Sequence, residues 1–158
     1  MLRLIAVLLL CTTASAQTPR FIQPQGLSKN PAYTHVVEIS GGRTLLISGQ
    51  IALDAQGKLV GAGDFAAQAK QVMDNLGTAL RAAGMDYGNV VKLNSYVIEM
   101  PKNLPAYRTV HSHYFSGEHV PASTTVGVAA LAIDGALLEV EAIAVASSAQ
   151  SARARIRK

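Results

Sequence analysis

Residues 121–128 read Pro-Ala-Ser-Thr-Thr-Val-Gly-Val, and residues 138–144 read Leu-Glu-Val-Glu-Ala-Ile-Ala. Both stretches are rich in β-branched or aliphatic side chains, which are typical of strands. We expect strands over Ala122–Ala130 and Leu137–Val145. The segment Ile133-Asp134-Gly135 between them has the composition of a hairpin turn.

Two carboxylates, Glu139 and Glu141, interrupt the apolar residues of the last predicted strand. They lie on the same side of that strand, because successive strand side chains alternate between the two faces. A carboxylate that reaches a bound water can act as a general base, and two adjacent carboxylates raise the pKa of one of them. The alternative is a polar strand face exposed to water.

Working outward, the clearest helix is predicted over Asp64–Ala83. Asp64 is placed to accept hydrogen bonds from the first free N–H groups, and Gly84 is placed to end the helix in a left-handed conformation. Apolar residues recur at three- and four-residue steps and make one stripe. The stripe consists of Phe65, Ala69, Val72, Met73, Leu76, Leu80 and Ala83.

The remaining elements complete the order β-β-α-β-α-β-β. Strands are predicted over Tyr33–Ile39 and Thr44–Ile51, joined by a hairpin at Gly41-Gly42, and over Val90–Ile98. A second helix is predicted over Leu104–Phe115. This order predicts an α+β fold in which two helices cover one face of a mixed β-sheet.

The other face of the predicted sheet is expected to be apolar. A large apolar face is normally an interface, so this reasoning predicts a homo-oligomer without fixing the number of subunits. The residues expected on that face are Leu46, Val91, Leu93, Val126, Val128, Leu138 and Val140.

The first residues are typical of a secretory signal peptide. Arg3 supplies a positive charge, Leu4–Leu10 is an unbroken apolar run, and Ala14-Ser15-Ala16 supplies the small residues that signal peptidase requires. A membrane span needs about 20 apolar residues, so this run is too short to be one. We expect a periplasmic or secreted protein that is cleaved near Ala16 and has no membrane span.

Composition divides the chain into four parts. Residues 1–16 are the predicted signal peptide, and residues 17–29 are a polar, proline-bearing and irregular lead-in. Residues 30–147 are expected to form a single domain, since about 140 residues suffice for one sizeable core. Residues 148–158 are expected to be a basic, disordered tail.

Charge and cysteine content argue against several classes of function. Without Arg3 and the basic residues of 153–158, 9 Lys and Arg side chains face 10 Asp and Glu side chains. Nucleic-acid binding needs a concentrated positive surface, so no nucleic-acid partner is expected.

Cys11 is the only cysteine in the sequence and is removed with the signal peptide, so no disulfide is expected. His111 and His113 point in different directions on a helix, and no metal or other cofactor is expected.

Five stretches, in this order and at this spacing, resemble the Rid family, the reactive intermediate deaminases that are also called YjgF-type or L-PSP endoribonuclease-like proteins. The family is known for hydrolysing 2-imino acids to 2-keto acids. The resemblance implies a chorismate-mutase-like (YjgF/RidA-like) fold and a homotrimer whose sheets form a barrel-like core, with three ligand clefts between subunits. The stretches are Asn30-Pro31-Ala32-Tyr33, Ile47-Ser48-Gly49-Gln50-Ile51, Asp64 to Gly84, Pro121-Ala122-Ser123-Thr124 and Glu139-Val140-Glu141-Ala142-Ile143.

The resemblance implies that five residues bind the substrate, namely Tyr33, Ser48, Gly49, Thr125 and Ser123. Tyr33 is expected to lie over the ligand, although it also suits a strand tyrosine packed on the core. Ser48 and Gly49 are expected to form a backbone turn that approaches the ligand closely, which glycine permits. Thr125 is expected to contact the ligand through its main chain.

The resemblance also implies that Glu139 is the catalytic residue, which orients or activates the attacking water. Glu141 remains an alternative. Ser123 stands where the best-studied branch of the family has an arginine. An arginine would hold a substrate carboxylate with two parallel hydrogen bonds, whereas serine offers one neutral hydroxyl. Arg43 and Arg108 are alternative sources of positive charge.

Two functions from different classes follow. The first is an exported Rid-like protein that binds a small carboxylate, imine or enamine metabolite and hydrolyses 2-imino acids or enamines to 2-keto acids and ammonia. The second is a non-catalytic trimer that binds a small molecule or associates with envelope proteins. The sequence names neither the ligand nor the pathway.

Overall fold

The computed structural model describes residues 18–147, which fold as two helices on one face of a four-stranded sheet, together with a small two-stranded sheet. The α+β class and the mixed sheet are therefore confirmed. The predicted signal peptide and basic tail lie outside the described residues. No helix within residues 18–147 combines the length and the apolar character that crossing a bilayer requires.

The large sheet has the strand order β3-β6-β4-β5. Strands β4 and β5 are parallel, and β6 runs antiparallel to both β3 and β4. Strands β1 and β2 pair with each other. The elements are β1 (Arg20–Ile22), β2 (Val36–Glu38), β3 (Arg43–Gln50), α1 (Phe65–Ala82), a single 3-10 turn (Tyr87–Asn89), β4 (Val90–Val97), α2 (Met100–Tyr114), β5 (Ala122–Gly127) and β6 (Leu138–Ala146).

Helix α1 forms as its sequence predicts. The Asp64 carboxylate accepts a hydrogen bond from the backbone N–H of Ala67 at 3.1 Å, and Gly84 follows the helix with φ of 68°. The apolar stripe is buried against the sheet, with Val72, Leu76 and Leu80 fully excluded from solvent. Each such side chain stabilises the fold by about 1.5–3 kcal/mol relative to exposure, so packing rather than helix propensity holds α1 in place.

Helix α2 begins at Met100, four residues before its predicted start. Pro101 occupies the first turn, where the missing N–H costs no intrahelical hydrogen bond. Glu99, just before the helix, has a positive φ of 46°, which is unusual for a residue with a side chain. Pro101 therefore belongs to the start of α2, and Pro105 lies inside the helix.

Both predicted hairpins are wrong. Strand β2 pairs with β1 rather than β3, and β5 pairs in parallel with β4 rather than with β6. Helix α2 connects β4 to β5, and such a crossover makes neighbouring strands parallel. Strand β6 then inserts between β3 and β4, where both of its edges find partners. The turn signals are real, but they do not determine which strands pair.

The irregular lead-in is also wrong in part. Residues Arg20–Ile22 form β1, which pairs in register with Val36–Glu38. An exposed ion pair joins Arg20 to Glu38 at 2.9 Å. Three-residue strands are too short for a periodic pattern to reveal them.

The apolar face predicted for the sheet is mostly not the uncovered face. Leu93, Leu138 and Val140 point toward the helices and are completely buried, and Val91 is 2 % exposed. Val128 lies beyond the end of β5. The two residues of the predicted set that remain on the uncovered face are Leu46, 75 % exposed, and Val126, 39 % exposed. The error arises because strand side chains alternate, so each strand gives only half of its residues to either face.

A buried glutamine, Gln68, joins α1 to the loop before β6. Its side-chain amide donates to the carbonyl oxygens of Gly61 and Gly135 at 3.1 and 2.9 Å. Its side-chain oxygen accepts from the N–H of Leu137 at 2.8 Å. The side chain is fully buried, so these backbone groups have no access to water as an alternative partner.

We expect the substitution Gln68→Leu to lower the free energy of unfolding by about 2–4 kcal/mol, because buried backbone groups lose their partner. Urea unfolding at fixed protein concentration measures this. Gln71→Leu is the matched control on the same helix, since the Gln71 side chain donates to the half-buried Asn75 side chain rather than to buried backbone groups. The control should cost under about 1 kcal/mol. Equal losses for the two variants would contradict the role given to Gln68.

Candidate functional site

The uncovered face of the large sheet is organised in rows that run across the strands. One row contains Lys92 of β4, with Ile143 of β6 and Ala122 of β5 as its register partners. The next row contains Asn94, Glu141 and Thr124, and the third contains Tyr96, Glu139 and Val126. Rows on one face are two residues apart, or about 6–7 Å. This face is polar along its middle and carries both candidate carboxylates.

Glu139 lies against an irregular part of β3. The register between β3 and β6 shifts between Ile47 and Gln50, so Ser48 and Gly49 have no regular partner. The Glu139 carboxylate lies directly over Gly49, where a Cβ atom would overlap it. The resemblance assigned both residues to one cleft, and the structure places them in contact. Glycine is needed here for close approach of a side chain.

The two carboxylates of β6 differ in what holds them. Among residues 18–147, no group donates a hydrogen bond to the Glu139 carboxylate. Glu141 accepts two, from Asn94 at 2.7 Å and from the Tyr96 hydroxyl at 3.0 Å. These two hydrogen bonds hold the pKa of Glu141 below its ordinary value of 4.5. Glu139 is thus the carboxylate that is free to bind a water or a ligand.

Ser123 and Thr125 point to the opposite side of the sheet. Ser123 is in register with Leu93 and Thr125 with Ser95, and both partners are completely buried beneath the helices. The Tyr107 hydroxyl of α2 bonds the Ser95 hydroxyl and also interacts with Thr125. Burial raises the pKa of Tyr107, so this phenol stays neutral and a hydrogen-bonding group. Sequence reasoning missed Tyr107, since nothing local to α2 marks it.

Tyr33 lies near the start of β5. The N–H of Thr34 donates to the Pro121 carbonyl at 3.2 Å, which places Tyr33 close to the segment leading to Ser123. The half-buried Tyr33 ring contacts His35 edge-to-face, with ring centroids 5.2 Å apart. Tyr33 therefore precedes β2 rather than forming part of a strand in the main sheet.

The six candidate residues thus form two groups within one chain. Ser48, Gly49 and Glu139 lie together on β3 and β6, whereas Tyr33 lies near the start of β5. Ser123 and Thr125 belong to β5, with β4 between them and β6. Since Glu139 and Ser123 also face opposite sides of the sheet, a single protomer does not bring all six together.

Neither arginine considered as a replacement cation reaches these groups. Arg43 donates to the carbonyl oxygen of Ala83 at 2.6 Å, beyond the end of α1. Arg108 is exposed on α2. A cation that does reach β5 is Lys92, whose ammonium donates to the Thr124 hydroxyl at 2.7 Å. The alternation of Lys92, Asn94 and Tyr96 along β4 is the sequence signal that marks them as one polar face.

The histidines do not assemble into a metal site. Within residues 18–147, no three His, Cys, Asp or Glu side chains converge as metal ligands. His111 is buried between Tyr107 and Phe115, and within the described part of the chain its Nε2 has no hydrogen-bond partner. Burial lowers the pKa of His111, so the neutral ring is favoured. The His119 ring contacts Phe21 edge-to-face, with ring centroids 4.9 Å apart.

The hydrogen bonds to Glu141 predict a pH-dependent contribution to stability. Because the folded pKa is lowered, the contribution is complete above the ordinary carboxyl pKa and is lost as the pH falls through the lowered value. The difference in unfolding free energy between wild type and Glu141→Gln should therefore shrink on acidification. Denaturant titrations across that pH range measure it.

Two further variants test the cause of this pH dependence. Asn94 contributes more than Tyr96 to lowering the pKa of Glu141. Asn94→Ala should therefore weaken the pH dependence more than Tyr96→Phe does. A pH dependence that is the same in wild type and Asn94→Ala would contradict the assignment.

Comparisons with known proteins agree with this architecture. The model of the family described as Endoribonuclease L-PSP matches residues 25–146. The 2-iminobutanoate/2-iminopropanoate deaminase of Mus musculus is 40% identical over 114 residues, which are 72% of this chain and 80% of that protein. Protein DfrA of Myxococcus xanthus is 35% identical over 131 residues, 83% of this chain and 92% of that protein.

Solved structures of Rid and endoribonuclease-type proteins also resemble this chain in fold. The YyfB protein of Yersinia pestis, described as a conserved Rid family protein of unknown function, superposes with a TM-score of 0.74 at 39% identity, covering 81% of this chain and 98% of that one. A putative endoribonuclease of Thermotoga maritima has a TM-score of 0.61 at 32% identity, covering 80% and 97%. The chain belongs to the Rid/YjgF family, the endoribonuclease L-PSP family of the matching model.

Proposed function

We propose that this protein is a homotrimeric hydrolase that converts 2-imino acids or enamines to 2-keto acids and ammonia. The observation that carries the proposal is the position of Glu139, whose carboxylate lies over Gly49 with no hydrogen-bond donor among the described residues. Two relatives at 40% identity are named 2-iminobutanoate/2-iminopropanoate deaminase. The endoribonuclease in the family's other name is less well supported, because the chain between residues 20 and 147 is close to neutral.

The separation of the candidate residues supports a cleft between protomers, called here the imine cleft. Glu139, Ser48 and Gly49 of one copy would meet the β5 edge of a neighbour, which carries Ser123 and Thr125. The Rid/YjgF fold family is trimeric. Strand β5 lies at the end of the large sheet, so within the described chain its outer edge is available for such a contact.

In the proposed reaction, Glu139 positions a water molecule and accepts a proton from it as the oxygen attacks the imine carbon. The C=N π electrons move to nitrogen and a carbinolamine forms. Glu139 returns this proton to nitrogen, and the hydroxyl proton of the carbinolamine then passes by the same route to nitrogen. The C–N bond breaks and ammonia leaves as the C–O electrons form the carbonyl. Ser123 offers a hydroxyl to the substrate carboxylate, which a neutral group holds more weakly than a guanidinium would.

We expect the protein lacking residues 1–16 to release 2-keto acid from 2-iminopropanoate, generated in situ, faster than buffer does. Glu139→Gln should lower kcat by at least about 100-fold, since general-base catalysis contributes roughly 10²–10⁴-fold. Glu141→Gln is the matched control two residues away and should keep most of the activity. Keto-acid release is followed by its reduction in a coupled assay.

The outcomes separate two candidate functions. Release no faster than buffer would exclude the hydrolase and favour a non-catalytic trimer that binds a small molecule or an envelope protein. The neutral side chain of Ser123 is the observation that favours this second function, because a carboxylate substrate loses its strongest anchor. Equal losses in Glu139→Gln and Glu141→Gln would remove the special role of Glu139.

Ser123→Arg tests the cleft directly. We expect a gain in kcat/KM for 2-iminopropanoate of roughly tenfold to a thousandfold, because charge-assisted hydrogen bonds contribute about 1.5–3 kcal/mol each. Ser123→Lys is the control. Lysine adds the positive charge without the planar guanidinium that forms two parallel hydrogen bonds, so its gain in kcat/KM should be smaller. A Ser123→Arg variant that folds and gains nothing would mean that the imine cleft accepts a different class of ligand.

We further propose that the protein acts in the periplasm or the medium, as the sequence of residues 1–16 suggests. N-terminal sequencing of protein from the producing cells should give a chain that begins at Gln17. A chain that retains residues 1–16 in the cytoplasm would contradict export.

A further inference from the structure

Strand β5 is held along only one of its edges within the described chain. It lies at the end of the large sheet, where β4 is its neighbour. An edge strand has fewer backbone hydrogen bonds to keep it in place than a central strand has, so it opens more readily. The proposed hydrolysis uses Ser123 and Thr125 of β5, and whatever fixes this strand therefore affects the imine cleft.

The backbone groups of Thr125 point away from β4. Val128 continues the pairing of β5 with β4 and donates its N–H to the Val97 carbonyl at 3.0 Å. Along a paired strand, the N–H and C=O groups of successive residues point to opposite edges. Thr124 and Val126 therefore direct these groups to β4, whereas those of Thr125 point to the outer edge of β5, which the imine cleft uses.

A hydroxyl of α2 holds β5 from the covered face of the sheet. The Tyr107 hydroxyl bonds the Ser95 hydroxyl of β4 at 2.5 Å and also interacts with Thr125 of β5. Ser95 and Thr125 are register partners, so Tyr107 connects the two strands at one level. Tyr107 is 3 % exposed and Ser95 is completely buried. This contact lies beneath α2 inside one protomer, so it does not depend on how the copies assemble.

Neighbouring aromatic rings hold the Tyr107 ring in place. Its centroid lies 5.7 Å from that of the His111 ring, which lies 5.1 Å from that of Phe115. The three residues follow each other at four-residue steps, so they share one face of α2 and its C-terminal end. A buried ring packed in this way has little freedom to turn, which keeps its hydroxyl between β4 and β5.

We propose that Tyr107 is a positioning residue of the imine cleft, which fixes the main chain of Thr125 for contact with the ligand. The phenol acts through Thr125, because it lies on the covered face while the ligand approaches the outer edge of β5. The inference rests on the proposed function, which places a ligand at that edge. Binding should depend on Tyr107 and proton transfer should not, since β4 separates β5 from the strand that carries Glu139.

Amide hydrogen exchange, measured by NMR on the protein lacking residues 1–16, tests the hold on β5 independently of any activity. Tyr107→Phe should speed the exchange of the Thr124 and Val126 N–H groups roughly three- to tenfold, the factor that corresponds to one neutral hydrogen bond. Tyr114→Phe is the matched control on the same helix, because the Tyr114 hydroxyl donates to Asp74 of α1 at 3.3 Å. The control should leave both exchange rates unchanged.

Kinetics and binding test the effect on the ligand. With 2-iminopropanoate, Tyr107→Phe should raise KM by a similar factor and leave kcat nearly unchanged, as expected when substrate and transition state lose the same contact. Calorimetric titration with 2-oxopropanoate, the keto acid product, should show binding that is weaker by the same factor. Tyr114→Phe should change neither quantity.

A double variant tests whether Tyr107 acts through Thr125. Thr125→Val removes the same contact from the strand side and keeps the shape of the side chain. Tyr107→Phe and Thr125→Val combined should lose no more than Tyr107→Phe alone, because residues that share one contact are not additive. Additive losses would contradict the proposed route.

The contrary outcomes are distinct. Unchanged exchange at Thr124 and Val126 in Tyr107→Phe, or an equal change in Tyr114→Phe, would mean that Tyr107 does not hold β5. Faster exchange with unchanged KM and unchanged 2-oxopropanoate binding would make Tyr107 a residue of the fold alone, and a loss confined to kcat would assign it to the chemical step. If Tyr107→Phe fails to fold, Thr125→Val supplies the same measurements.

Failure of the proposed function is recognised on wild type. Wild type that binds 2-oxopropanoate without hydrolysing 2-iminopropanoate fails as a hydrolase, and the titration of Tyr107→Phe then decides the role of Tyr107. Wild type that does neither has no imine cleft, and the role of Tyr107 in it is overturned as well. An active wild type with unchanged KM in Tyr107→Phe overturns this inference alone.

Discussion

The pairing of β6 on both of its edges is the constraint on which the rest of this structure depends. Leu138–Ala146 lies between β3 and β4, so its backbone hydrogen bonds hold the sheet together. Its alternation gives Leu138, Val140, Ala142 and Ala144 to the helices, and gives Glu139 and Glu141 to the uncovered face. A slip of one residue would bury both carboxylates and expose the core, which fixes the register strongly.

That register also distinguishes two carboxylates that look equivalent in the sequence. Glu141 is opposite Asn94, and the neighbouring Tyr96 reaches it as well. Glu139 is opposite the part of β3 where the regular pairing breaks and where Gly49 makes room for it. Glu141 is therefore held in a hydrogen-bond network, whereas Glu139 remains available to bind a water or a ligand. The physical difference lies in the partners across the strands rather than in burial, because both residues are partly exposed.

The candidate residues form two separate groups because β4 lies between β5, which carries Ser123 and Thr125, and β6, which carries Glu139. Groups on both faces of one sheet cannot converge on a small ligand within that sheet, so a second copy is the simplest way to unite them. The separation of the candidate residues favours an assembly of several copies more directly than surface hydrophobicity does. The uncovered face is a polar band with a few exposed apolar side chains, and a polar band suits specific contacts and small charged ligands.

The amino-acid sequence alone determined the α+β class, the position of α1 between its Asp64 cap and Gly84, and the four strands of the large sheet near their true bounds. These features follow from local chemistry: periodic apolar residues, a capping carboxylate and a glycine that tolerates positive φ. The family resemblance added the assignment of Gly49 and Glu139 to a ligand cleft, which no local pattern reveals, and the structure added their contact.

Only the tertiary structure decided which strands pair, which face the helices cover, and which glutamate is free. Turn residues such as Gly41-Gly42 permit a hairpin but cannot require it, because the crossover through α2 and the insertion of β6 are long-range events. The roles of Lys92, Gln68 and Tyr107 likewise depend on partners more than ten residues away in the chain. Hydrogen bonds between distant residues leave no periodic trace in a sequence, and this is why composition and spacing could not locate them.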